Sequence, residues 1–137
     1  MNTQLSKSAA LELLNGMYRD VVMGLDDTCI DRYFMPDYVQ MTDGVRSDLA
    51  QFKHHIRMLR QQVQSVQISP FTHMLYDEPL QTATLRYTVD VEKKNGKRGQ
   101  VELIAIFELQ QGKVRRCYEL SCALDYEVEF EGIASLS

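Results

Sequence analysis

Apolar and polar residues alternate through the last third of the chain, and that stretch predicts a sheet. Val101, Leu103, Ala105, Phe107 and Leu109 share one face of a strand over 100–110. Glu102, Ile104, Ile106, Glu108 and Gln110 share the other. Partner strands are expected over 81–92 and 113–124, with turns at Asn95-Gly96 and Gln111-Gly112. The first face is wholly apolar and must meet helices. The second is apolar only at its centre. That pattern fits an outer face partly covered, most simply by a second copy of the chain.

Earlier residues change period. Leu11, Leu14, Tyr18, Val21 and Leu25 step by three and four, which predicts a helix over 8–25, broken near Gly24. Asp26 or Asp27 can cap a short second helix reaching Phe34, stopped by Pro36. A short strand over 37–42 and a turn at Asp43-Gly44 follow. Ser47 is the expected N-cap of a third helix over 48–64. Its buried stripe is Leu49, Phe52, Ile56, Leu59 and Val63; His54 points away and His55 borders the stripe. Residues 66–76 read as an irregular strand that Pro70 confines to an edge or a bulge. The order α-α-β-α-β-β-β-β predicts one α+β domain over 1–137, with 125–137 as an edge extension or loose tail. A strongly curved antiparallel or mixed sheet wrapped around the three helices leaves a hollow between them.

Composition removes several classes of function. A net charge of −4 argues against nucleic acid, and Lys93, Lys94, Lys97 and Arg98 only decorate a hairpin tip. No apolar run has the length of a membrane span, and the N-terminus lacks the apolar core of a signal peptide, so a cytoplasmic location is expected. Cys29, Cys117 and Cys122 show no metal spacing and read as reduced thiols. His54 and His55 diverge on their helix, and Gly96 and Gly99 have no phosphate-loop context. No metal and no cofactor is expected.

The run Val22-Met23-Gly24-Leu25-Asp26, the segment Ile30-Asp31-Arg32-Tyr33-Phe34-Met35-Pro36-Asp37-Tyr38-Val39, the helix opening after Gly44, and Gln111-Gly112-Lys113-Val114 together resemble the nuclear-transport-factor-2-like superfamily. Within it, the likeness is to the SnoaL-like and ketosteroid-isomerase-like branch, and it extends over residues 5–124. The resemblance implies a cone-shaped, cystatin-like fold with a deep pocket, and frequent homodimers. It implies no single reaction, because such proteins include isomerases, cyclases, dehydratases, hydrolases and binders. The isomerases' general-base Asp corresponds to Thr42, with Asp43 one step on; the cyclases' His corresponds to Met41. The isomerases' tyrosine falls at Met17 or Tyr18, and their protonated Asp at Ala105.

If Leu103, Ala105 and Phe107 face the hollow, then Tyr87 and Val89 do so from the preceding strand. On the last strand, apolarity alone favours burying Tyr118, Leu120 and Cys122. The resemblance favours Cys117, Glu119 and Ser121 inside, leaving Tyr118 and Leu120 beside Ile104 and Ile106 as a dimer patch. Glu119 would then lie on an apolar wall, where lost hydration raises its pKa into the range of a general acid or base. Tyr18, Tyr38 and Tyr87 can offer hydroxyl donors, Gln40 and Thr42 polar contacts, His55 a proton carrier, and Phe52 apolar lining. The expected function is binding of an apolar or aromatic metabolite. Two alternatives remain open: a proton-transfer isomerase or lyase using Glu119 with Tyr18, and a non-catalytic assembly subunit that uses the outer sheet face.

Overall fold

The computed structural model describes residues 4–124. The expected tail at 125–137 lies outside them. The elements are α1 (Lys7–Met17), a π-helical turn (Tyr18–Met23), a 3₁₀ turn (Asp27–Arg32), β1 (Phe34–Thr42), β2 (Val45–Asp48), α2 (Leu49–Gln62), β3 (Val63–Ile68), β4 (His73–Asp77), β5 (Thr82–Lys93), β6 (Arg98–Gln110) and β7 (Lys113–Ala123). They form an α+β fold with a mixed sheet ordered β2-β1-β7-β6-β5-β3, and β4 also pairs β5. β1 and β7 run parallel, and the other pairings are antiparallel. The expectation of a strongly curved sheet wrapped around three N-terminal helices is corrected. The sheet is not strongly curled, and α2 is inserted between β2 and β3.

The first helix differs from a plain α-helix. Ser6 caps it by accepting from the Ala9 amide. After Met17 it widens, so that the Gly24 amide donates to the Arg19 carbonyl five residues back. A Cβ on Gly24 would stand 2.3 Å from the Asp20 carbonyl oxygen, which leaves room for glycine alone. The wider turn keeps Met17, Tyr18 and Val21 buried together.

Three boundaries move from their expected places. Asp26 caps a 3₁₀ turn that ends at Arg32, and Pro36 lies inside β1. That proline is tolerated because the pairing of β1 shifts register between Phe34 and Val39, and β2 reaches only residues 39–42. The cap of α2 is Asp48, not Ser47: Asp48 accepts from the Gln51 amide while the Gln51 side chain accepts from the Asp48 amide. Asp43 and Gly44, both at positive φ, make the two-residue turn that returns the chain as β2.

The edge strand behaves as Pro70 requires. β3 and β4 line the same side of β5, interrupted over residues 69–72. A second bulge matters more. On β7, Val114 pairs Leu109 but Arg116 pairs Glu108, so Arg115 is one extra residue. Asp37 ties it down, accepting from Arg115 by its carboxylate and from Arg116 by its carbonyl. The extra residue switches the inward phase from Val114 to Cys117, Glu119 and Ser121.

The core lies on one face of the sheet. Leu14 and Val21 from the first helix, Ile30, Ile56 from α2, and Leu85 and Val101 from β5 and β6 are fully buried. Burying such side chains is worth about 1.5–3 kcal/mol each before entropy is charged.

Candidate functional site

Between the helices and the inner sheet face lies a cavity of about 100 Å³. Its walls are mainly apolar: Met17, Val22, Phe34, Phe52, Ile56, Leu59, Val66, Ile68, Val89, Val91, Val101, Leu103 and Phe107. The polar contributors are Tyr18, Tyr38, Gln40, His55, Tyr87, Cys117 and Glu119. No lysine or arginine is among these lining residues.

β1 supplies a row of inward side chains at every second position, as a strand must. Tyr38 donates to Gln40 Oε1 at 2.8 Å. Gln40 Nε2 donates to Thr42 Oγ1 at 3.2 Å, and Thr42 donates to Glu119 Oε1 at 2.8 Å. The last contact exists because the parallel ladder sets Thr42 opposite Glu119. Gln40 and Thr42 are the buried polar residues of the described core, so their mutual bonds offset their desolvation.

Across the cavity, the Tyr18 and Tyr87 hydroxyls lie 2.5 Å apart, their rings edge to face at 5.0 Å. Phe71, from the interrupted edge strand, packs on both rings. Phe34, Tyr38 and Phe52 form a second aromatic group, and His55 stacks on Phe52.

Electrostatics single out Glu119. Burial pushes its pKa from 4.5 up to about 7; the Thr42 bond pulls it down and the nearby Asp43 charge adds to the rise. The residue as a whole is only partly buried. Its carboxyl is enclosed by protein, and that enclosure governs the hydration lost. Burial also raises the hydroxyls of Tyr18, Tyr38 and Tyr87, which stay protonated donors. The Cys117 thiol is raised by burial, then by Glu119, and is a poor nucleophile in that state.

Of the expected pocket residues, Thr42, Ala105 and Ser121 do not line the cavity. Thr42 is buried behind Glu119. Ala105 pairs directly with Glu119 and is too short to reach past the wall. Ser121 turns to Asp43, donating its amide and hydroxyl to that carboxylate. Tyr18, Tyr38, Gln40, Phe52, His55, Tyr87, Val89, Leu103, Phe107, Cys117 and Glu119 all line it. The sequence reading missed the bond from Thr42 to Glu119 and the pairing of Tyr18 with Tyr87. The alternate spacing of Tyr38, Gln40 and Thr42 was the available signal for a shared face. On the opposite sheet face, Ile104, Ile106, Tyr118 and Leu120 are exposed, Leu120 by 69%. Among the described residues, no group of three His, Cys, Asp or Glu side chains could hold a metal ion, and no helix is long and apolar enough to cross a membrane.

The chain has the fold of nuclear-transport-factor-2-like, SnoaL-like proteins, to which its structural neighbours belong. The BvnE pinacolase from Penicillium brevicompactum has 14% sequence identity and a TM-score of 0.75, covering 95% of this chain and 97% of its own. TsrD from Streptomyces laurentii has 17% identity and a TM-score of 0.71, covering 85% of this chain and 90% of its own. An M. tuberculosis LEH-like epoxide hydrolase has 14% identity and a TM-score of 0.69, covering 82% of this chain and 78% of its own. No protein-family model matches the chain, and no curated protein does. At these identities the likeness is one of fold.

The Glu119 pKa has a consequence for stability. A carboxyl raised from 4.5 to about 7 stabilises the fold fully below the lower value. That contribution is lost as pH rises through about 7. The upper limit is about 3 kcal/mol, reduced by solvent reaching the carboxyl from the pocket. Urea unfolding at a series of pH values should show this fall, and Glu119→Gln should flatten it.

Proposed function

We propose that the chain binds a small, uncharged, largely apolar molecule, about one ring in size, in this cavity. The observation that carries the reading is an apolar chamber bearing one carboxyl, three tyrosine hydroxyls and no lining lysine or arginine. Such a wall favours a neutral ligand with one hydrogen-bonding group and penalises an anion, whose charge would meet Glu119 unpaired. Phenol and benzoate are matched probes. At about pH 8 the phenol is neutral and the benzoate is not. Phenol should bind with at least about tenfold higher affinity by calorimetry, and Glu119→Gln should narrow the gap. Equal binding of both would overturn the reading.

A second reading is favoured by the position of Glu119. With a pKa of about 7 it is both acid and base near neutrality. As a carboxylate it can take a proton from carbon beside a ligand carbonyl. A hydroxyl of the Tyr18–Tyr87 pair can donate to the oxygen that becomes negative. The protonated Glu119 then returns the proton to carbon. This is the chemistry of an isomerase or lyase, and the structural likeness to a pinacolase and an epoxide hydrolase is in keeping with a catalytic pocket. In deuterium oxide, a single-ring cyclic ketone should exchange its α-hydrogens in the protein's presence. Glu119→Gln should lose that exchange while still binding phenol.

The outer face suits a second copy of the chain. Ile104 pairs Leu120 and Ile106 pairs Tyr118 across β6 and β7, and Met41 follows on β1, giving one continuous exposed apolar strip. Sedimentation at micromolar concentration should give twice the chain mass, and Leu120→Arg should give the monomer. A monomeric unaltered chain would remove the dimer.

A further inference from the structure

We propose that Gln40 and Tyr38 are positioning residues, which act through Thr42 to hold a hydroxyl proton on Glu119 and so fix its orientation and proton affinity. The proposal rests on the reading of Glu119 as the proton-exchanging group of the pocket, and deepens it. Neither residue is bonded to Glu119 directly; the relay between them carries the effect.

Each bond in the relay fixes the next. The Tyr38 hydroxyl donates to Gln40 Oε1, which orients the amide. The Gln40 amide nitrogen then faces Thr42 and donates to its oxygen. With that oxygen serving as acceptor for Gln40, the Thr42 proton goes to Glu119. A reversed Gln40 amide would place its oxygen toward Thr42 and compete for the same proton. Donation to a carboxylate favours the ionised form, so the relay opposes burial. Gln40 is 5% exposed and Thr42 1%, and Thr42 does not line the cavity, so a water cannot readily take the place of the Thr42 partner.

The other groups around the carboxyl come from five places. Asp43 stands in the turn after β1, and Cys117 lies two residues back on β7. Tyr87 projects from β5, Tyr18 from the π-helical turn, and His55 from α2 lines the same cavity. Beside these groups, Thr42 donates a hydrogen bond to Glu119 from the end of β1.

The test is a carbon-13 NMR titration of the Glu119 carboxyl in the full chain and four variants. Thr42→Val removes the donor and should raise the Glu119 pKa by about one unit. Thr42→Ser keeps the hydroxyl and should restore the unaltered value. Gln40→Met, which removes the bond to Thr42, should shift the titration upward by a smaller amount. Tyr38→Phe, the mildest change, should shift it in the same direction. If Gln40→Met and Tyr38→Phe leave the titration unmoved while Thr42→Val moves it, the direct bond acts alone and the proposal fails. A purely structural role would lower the melting temperature of these variants without moving the titration, and would also overturn it. An unaltered chain titrating near 4.5 would instead remove the reading of Glu119 as proton carrier, and the variant shifts would still decide the relay.

Discussion

The parallel ladder between β1 and β7 sets Gln40 beside Cys117 and Thr42 beside Glu119. Without it the polar residues of β1 would be buried against apolar neighbours, each short of a partner. With it, a strand from the first half of the chain supplies donors to a carboxyl near the end, and the cavity gains a polar wall. The helices then complete the enclosure. Phe52, Ile56 and Leu59 from α2 and Met17 and Tyr18 from the first helix close the side opposite the sheet. The high proton affinity of Glu119 follows from that closure, because a carboxyl open to water would keep an ordinary pKa.

Much of this arrangement was legible in the residues. Strict alternation made β5 to β7 readable, and the Asn-Gly and Gln-Gly turns placed their ends. Pro70 announced an interrupted edge. β2 escaped notice because Val45–Asp48 is short and mostly polar, and it forms only by pairing with β1. The π-helical turn was hidden too: a single added residue per turn leaves the apolar spacing almost unchanged, and only Gly24 hints at it. Parallel pairing of β1 with β7 has no local signature at all, since it joins residues about eighty positions apart. The bond between Thr42 and Glu119 was therefore beyond reach, although both residues had been singled out separately.

The resemblance to ketosteroid isomerases takes a specific form in three dimensions. The resemblance implies that Thr42 and Ala105 stand where those enzymes carry carboxyls. Here they flank Glu119, one on each neighbouring strand. A single carboxyl thus lies between two positions that have none. Thr42 supplies it with a donor, and Ala105 adds no bulk beside it.

The bulge at Arg115 decides which face of the last strand sees the cavity. A strand without the extra residue would continue the phase of Val114 and turn Tyr118, Leu120 and Cys122 inward. By apolarity, that arrangement is the more comfortable one. Asp37 meets both arginines at the bulge, Arg115 with its carboxylate and Arg116 with its backbone carbonyl, so the contact that accompanies this choice lies on β1 outside the pocket. The chain has in effect two competing registers for its final strand, separated by one residue and opposite in polarity. The native one carries the Arg115–Asp37 ion pair, the Arg116 bond to the Asp37 carbonyl and the Thr42 bond to Glu119. One added residue thus sorts a single strand between two environments, sending its acid to the pocket and its greasy strip to the outer surface.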